Sequence, residues 1–428
     1  MGTRRHLIIN PSNAAATYGY SAAQNTMRFD IGNQGLMVAK DIRLEFEVNF
    51  KKLGGATPAM TDDFQIDPYI AAHSLIQTVS WSSRNFNESQ MERVNNYPTL
   101  AKLLISGLNS KNEMDCQLFN EQKSVGFGIT NNTGNLPGIV ADNLTARRNV
   151  CKPLKVSMRL LCGVCLSDPI DLDVTQGATL DITLNNNSAA LFGADAVNGY
   201  YEISNPKLHV PIIMEEDAVV MAKRAQPSQT IRFLSYSSIF DTLDTNGSTS
   251  LNHRLGLKNT LSCMAAFCPT KFLNTYSQNS IALYNPGLQS IVFRKNSQQF
   301  PLYYTLEVDT NTGLQINQPS TLPQVSWNYL SAHKETADIK HSSLNPDNLR
   351  GAVEREGFSA FATGVSYDEI SGNGVNTQID NLSVTVNANL ADPAAPATDV
   401  STPYGAFFYY LNINNIVVNQ NVGVVNMS

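Results

Sequence analysis

The chain has 428 residues, 42% of them hydrophobic and only 15% charged, with a net charge of −6. Single hydrophobic cores stop growing near ~250–300 residues, so this length implies two domains, and the absence of a basic excess or a long Lys/Arg run argues against sequence-specific or general nucleic-acid binding. No stretch approaches the ~18 apolar residues of a membrane span. "MGTRRHLIIN" has no signal-peptide core, and His6 breaks the myristoylation pattern, so the expectation is synthesis in the cytosol without secretion by the general route.

In chain order, residues 1–35 read as a polar N-terminal arm in which only "LII" is apolar, with Arg4 and Arg5 as its basic pair. "DIRLEFEVNF" (41–50) is a clean strand: Ile42, Leu44, Phe46, Val48 and Phe50 share one face, and charged or polar residues share the other. "SLIQTVSWSS" (74–83) is a second β-rich run. "NYPTLAKLLISGL" (96–108) predicts a helix, with Pro98 in its first turn and Leu100, Leu103 and Leu104 in a stripe. "LKVSMRLLCGVCL" (154–166), "TLDITLN" (179–185) and "PKLHVPIIM" (206–214) read as further strands. Residues 217–229, mixed and charged, read as a linker. The β pattern restarts at "TIRFLSYSS" (230–238). A second helix is predicted over 345–357, where Asn345 caps, Pro346 opens and Gly357 stops it.

The second half echoes the first. "TLDITLNNNS" (179–188) and "NLSVTVNANL" (381–390) both alternate. Each is followed by an Ala/Asn-rich loop and an aromatic-led strand, "YYEISNPKLHV" and "FFYYLNINNIVV". "GLQSIVFRKNSQQFP" (287–301) occupies the place of "SLIQTVSWSSRNFNE" (74–88). A period of about 200 residues is too long for a solenoid and fits two domains of one architecture. Short strands broken by turns, with long excursions between some of them, point to sandwiches of the jelly-roll kind.

No constellation for chemistry emerges. The six cysteines (Cys116, Cys151, Cys162, Cys165, Cys263 and Cys268) are too few for a disulfide scaffold. Cys162 and Cys165 have zinc-ligand spacing but no second pair nearby, and read as buried thiols on a strand. Asp171 and Asp173 would share a face of a strand in "SDPIDLDV", and read as an exposed polar face rather than a calcium site. The six histidines are scattered. No cofactor, metal or catalytic residue is expected, and the chain reads as a structural protein rather than an enzyme.

Taken together, "AAHSLIQTVSWSSRNFNESQ" with "NNYPTLAKLLI", then "LLCGVCLSDPIDLDVTQGATLDITLN", "LQSIVFRKNSQQFPL" and "SGNGVNTQIDNLSVTVNANL", resemble in order and duplication the double jelly-roll major capsid proteins of tailless icosahedral DNA viruses. That group includes adenovirus hexons, virophages, Polinton-like viruses and membrane-containing phages. The resemblance implies an all-β fold of two tandem eight-stranded jelly-roll sandwiches with a few short helices in loops. The arm and first barrel would span 1–216, the linker 217–229 and the second barrel 230–428. It further implies a virion protein made in the host cytosol. The chain would form a homotrimer whose six barrels make a pseudo-hexagonal capsomer, meeting neighbouring capsomers, penton and minor capsid proteins, and an internal membrane through the arm around Arg4 and Arg5. Trp327 and Tyr329, in the long weakly patterned region 305–380, are candidate intersubunit anchors. The alternatives are a two-domain carbohydrate-binding spike or lectin, which should show an aromatic platform or calcium loop, and a bicupin enzyme, which should show clustered ligands.

Overall fold

A computed structural model describes residues 3–59, 61–66, 70–84, 90–108, 153–256, 258–276, 283–284, 286–300, 306–307, 362–367, 374–390, 402–419 and 423–427. Among the described residues the first barrel is built on eight main strands, with shorter two-residue strands beside them: β1 (Thr3–Ile9), β2 (Thr26–Ile31), β3 (Arg43–Lys51), β4 (Ile76–Ser83), β5 (Gln90–Asn95), β6 (Leu154–Arg159), β7 (Ala178–Leu184) and β8 (Tyr200–Met214). The second barrel uses another eight: β9 (Ser228–Leu243), β10 (Gly247–His253), β11 (Asn259–Pro269), β12 (Leu288–Lys295), β13 (Gln298–Phe300), β14 (Ala362–Ser366), β15 (Leu382–Ala388) and β16 (Tyr404–Asn419).

The strands form by alternation. Along β3, Leu44, Phe46, Val48 and Phe50 are buried and the residues between them are not. β7 and β15 carry the same alternation of buried and half-exposed positions, Leu180 and Ile182 pointing inward in one, Val384 and Val386 in the other. Period-two burial fixes register, because a one-residue slip would turn every apolar side chain outward. On the outer face, the Arg28 guanidinium of β2 meets Asp181 of β7 at 2.8 Å across the strand pair.

Both barrels have one topology. In the first, one sheet runs β6-β3-β8-β1 and the other β5-β4-β7-β2. In the second, the sheets run β14-β11-β16-β9 and β13-β12-β15-β10. Adding eight to each strand of the first barrel gives the second, and both are jelly rolls. The three echoes in the sequence fall on equivalent strands: β4 with β12, β7 with β15, and β8 with β16.

Several local expectations change. Residues 3–9 are not a free arm. They pair antiparallel with Leu208–Met214 of β8, because Leu7 and Ile9 pack against the core. The strand expected over 154–166 ends at Arg159, and Gly163–Leu166 form a helical turn, α2. Asp171 and Asp173 do not share a strand face: Asp171 caps the turn α3 (Leu172–Thr175), accepting from the Asp173 and Val174 amides. A helix, α4 (Asp217–Arg224), occupies most of the expected linker, and β9 begins before residue 230. The Lys223 ammonium bridges Asp171 at 2.9 Å and Glu215 at 2.6 Å, which pins α4 to the first barrel. The predicted helix over 96–108 is present as α1 (Tyr97–Leu108), and the one over 345–357 lies outside the described residues.

Among the described residues two histidines are buried. His73 Nδ1 accepts from the Tyr97 hydroxyl at 2.8 Å, and that hydroxyl accepts from the Leu161 amide at 2.9 Å. Burial pushes the His73 pKa from 6.5 down to about 3. His253 lies between Asp241 and the Tyr410 hydroxyl, joining the two sheets of the second barrel, and burial also lowers its pKa. Both rings fold neutral, whereas the unfolded chain protonates them below about 6.5. For His73, stability therefore falls as pH drops from 6.5 toward 3, by up to ~1.4 kcal/mol per pH unit, and His253 adds to the loss in the same direction. Urea midpoints measured between pH 7 and pH 4 are expected to show this slope. The H73Q variant, which keeps an acceptor without a titrating ring, is expected to have a shallower one.

Candidate functional site: the seam between the barrels

The described residues contain a surface that holds the two barrels in fixed relation. Where the barrels meet, β5 of the first lies parallel to β9 of the second, with Arg93 opposite Ser237. This pairing joins the β5-β4-β7-β2 sheet to the β14-β11-β16-β9 sheet, and with the short strands Val375–Asn376 and Gly423–Met427 the joined sheet has ten strands among the described residues.

The closest approach is backbone to backbone. "FLSYSSIF" puts small polar side chains in the middle of β9, so Ser235 is fully buried and another chain can lie against it. That chain is α2. A Cβ added at Gly163 would stand 2.4 Å from Ser235 Cα. Only a residue without a Cβ permits this distance.

Close approach buries polar backbone, which must then be satisfied. Glu92 of β5 does most of this. Its carboxylate accepts from the amides of Gly163 at 2.7 Å and Val164 at 2.8 Å in the first barrel, and of Tyr236 at 2.6 Å in the second. Burial pushes the Glu92 pKa up, while the three amides and the Lys258 ammonium oppose the shift. Lys258 is itself pushed down by burial and held up by Glu92.

Other bonds complete the seam. The Ser167 hydroxyl donates to the Gly163 carbonyl and accepts from the Leu234 amide at 2.8 Å. The Asn95 amide donates to Ser238 Oγ at 2.9 Å, and the Tyr409 hydroxyl donates to the Asn96 carbonyl at 2.7 Å. Behind Ser235, the Asn412 amide group donates to the Ser235 carbonyl and accepts from Thr260 Oγ1, while Asn414 donates to Ser235 Oγ. Leu100, Leu103 and Leu104 of α1 are buried, and α1 packs on β11. Every residue of β11 from Thr260 to Pro269 is buried, because the barrel core covers one face and the first barrel the other.

Arg4 and Arg5, singled out by sequence, lie elsewhere. Arg4 sits on β1 and pairs with Asp41 at 2.5 Å on an exposed surface. Arg5 is exposed on the same strand. Trp327 and Tyr329 lie outside the described residues. Sequence reading missed Glu92, Gly163, Ser167 and Ser235. Two signals were present: a run of serines inside an apolar strand, and a glycine between the two cysteines of "LLCGVCL". Cys162 and Cys165, on and beside α2, are free buried thiols, and burial raises the Cys162 pKa well above the usual thiol range. Among the described residues no cluster of three or more His, Cys, Asp or Glu is placed to hold a metal, and no helix is long and apolar enough to cross a membrane.

No family model matches the sequence, and no curated protein matches it. Solved structures do match, over nearly the whole chain. The PBCV-1 virus capsid superposes with a TM-score of 0.54 at 13% identity, covering 100% of this chain and 97% of that one. The Sputnik virophage particle gives 0.55 at 11% identity, covering 100% and 89%. The Faustovirus major capsid protein gives 0.54 at 9% identity, covering 97% and 90%. The chain has the double jelly-roll fold of these viral capsid proteins.

Removing the Glu92 carboxylate leaves three buried amides without an acceptor. E92A is expected to lose about 3 kcal/mol or more in chemical denaturation. G163A is expected to destabilise comparably by forcing the barrels apart. G32A, where an added Cβ meets nothing within 4 Å, should stay within ~0.5 kcal/mol of the parent.

Proposed function

We propose that this chain is a viral major capsid protein, the structural subunit of a pseudo-hexagonal homotrimeric capsomer that tiles an icosahedral shell. The observation that carries the reading is the repeat itself. One strand order occurs twice, the two copies are locked rigidly side by side, and viral capsid chains match this arrangement from end to end. Locked pairs of like barrels suit a block that must present nearly the same edge six times. Three such chains about a threefold axis present six barrels, and closed cyclic symmetry limits the block to that size.

The role is structural, without catalysis. The partners are further copies of the chain, then neighbouring capsomers, penton and minor capsid proteins, and the protein resides in the virion. Contact with an internal membrane through a free arm at Arg4 and Arg5 has less support, since both residues sit on a paired strand and Arg4 is matched by Asp41.

Light scattering of the purified chain, with negative-stain images of the same peak, tests this reading. The expected mass is three times 46.8 kDa, with a hexagonal outline. A monomer persisting at high concentration would overturn the proposal.

A further inference from the structure

The cysteine pair of "LLCGVCL" lies in the seam but takes no part in its hydrogen bonding to the second barrel. Cys162 caps the turn α2, and Cys165 is the third residue of that turn. Residues three apart on a helical turn lie about 5–6 Å from each other, inside the range over which a disulfide closes. Both thiols are free, with 0% and 2% of their surface exposed, and the two side chains are hydrogen-bonded to each other. Cys263 and Cys268 are placed otherwise. They lie five residues apart on β11, where an odd spacing puts them on opposite faces of the sheet. Each of those thiols donates to the carbonyl of the residue that follows it.

The ring that a Cys162–Cys165 bond closes contains the groups on which the seam depends. Gly163 and Val164, between the two cysteines, donate their amides to Glu92 at 2.7 and 2.8 Å, and Gly163 rests against Ser235 of the second barrel. An open turn at this point has many conformations that miss Glu92. A disulfide removes most of them before the barrels dock.

We propose that Cys162 and Cys165 are a redox modification site: exchange with a low-molecular-weight disulfide such as glutathione disulfide joins them and covalently sets α2 for the seam. One cysteine thiolate attacks a sulfur of the reagent, the reagent's S–S bond breaks, and one reagent thiol leaves. The second cysteine thiolate attacks the protein sulfur of this mixed disulfide, which closes the Cys162–Cys165 bond and releases the second reagent thiol. The two cysteines are oxidised, the reagent is reduced, and the two cysteine protons end on the two reagent thiols. The attacking species is a thiolate, and burial opposes its formation once α2 is docked. Exchange therefore belongs to the newly made chain, before β9 covers α2, and the closed seam then keeps reductants from the bond. The inference goes beyond the capsomer reading and stands independently of it.

Cell-free synthesis of the full chain at reducing and at oxidising glutathione ratios, followed by alkylation in denaturant and peptide mass mapping, is the test. After oxidising synthesis Cys162 and Cys165 are expected to resist alkylation until reductant is added, joined within one peptide, while Cys263 and Cys268 alkylate. The oxidised chain is expected to unfold in urea about tenfold more slowly than the reduced one, and C165S is expected to unfold at one rate under both conditions. If C165S fails to fold, the two redox states of the parent chain decide alone. Cys162 and Cys165 that alkylate fully after oxidising synthesis, or that pair with other cysteines, overturn the inference. So does an oxidised chain that unfolds as fast as the reduced one or faster.

Discussion

Two barrels of eight strands can be strung on a linker or fused into one body, and a single buried carboxylate decides which happens here. Glu92 accepts three backbone amides, two from α2 in its own barrel and one from Tyr236 in the other. Without that acceptor, the backbones at Gly163 and Ser235 would be too close for water and too polar to be left bare. With it, β5 and β9 pair, the sheets run together, and α1 can cover the outer face of β11. The relation of the barrels is then set by hydrogen bonds and a glycine contact, and α4 is held to the first barrel by the paired Lys223.

A building block for a shell, the role proposed for this chain, needs such rigidity. An assembly made from repeated contacts amplifies any looseness within its unit, because each contact inherits the angular error of the one before. Polar seams specify geometry more strictly than apolar ones, since a hydrogen bond fails over a fraction of an ångström where an apolar contact can slide. The composition agrees: with only 15% charged residues, the chain relies on Ser, Asn and Thr, which pack closely at small volume and satisfy backbone without the desolvation cost of ions.

The fold was largely legible in the sequence because burial on one face leaves a period of two. β3, β7 and β15 declare themselves that way, and the echo between the halves marks equivalent strands. Legibility failed where burial was two-sided or local. "TLSCMAAFCP" has no period, since both faces of β11 are covered. Nothing in the sequence marks Glu92 or Ser235 as buried, because burial of a polar group depends on amides contributed by distant segments. At α2 and α3 the residues favour strand by propensity, but a glycine turn and the Asp171 cap prevail. The first residues form a strand and not a free arm because two half-buried side chains, Leu7 and Ile9, suffice to hold them against a long neighbour such as β8. Of the residues singled out in advance, Arg4 and Arg5 lie outside the seam, and Trp327 and Tyr329 lie outside the described residues.

The central claim is that the two barrels form one mechanical unit through this seam. Calorimetry of the dissociated chain tests it most directly. The account predicts one transition in which the calorimetric and van't Hoff enthalpies agree, with both barrels opening together. Two separated transitions, each carrying the enthalpy of a single barrel, would contradict it.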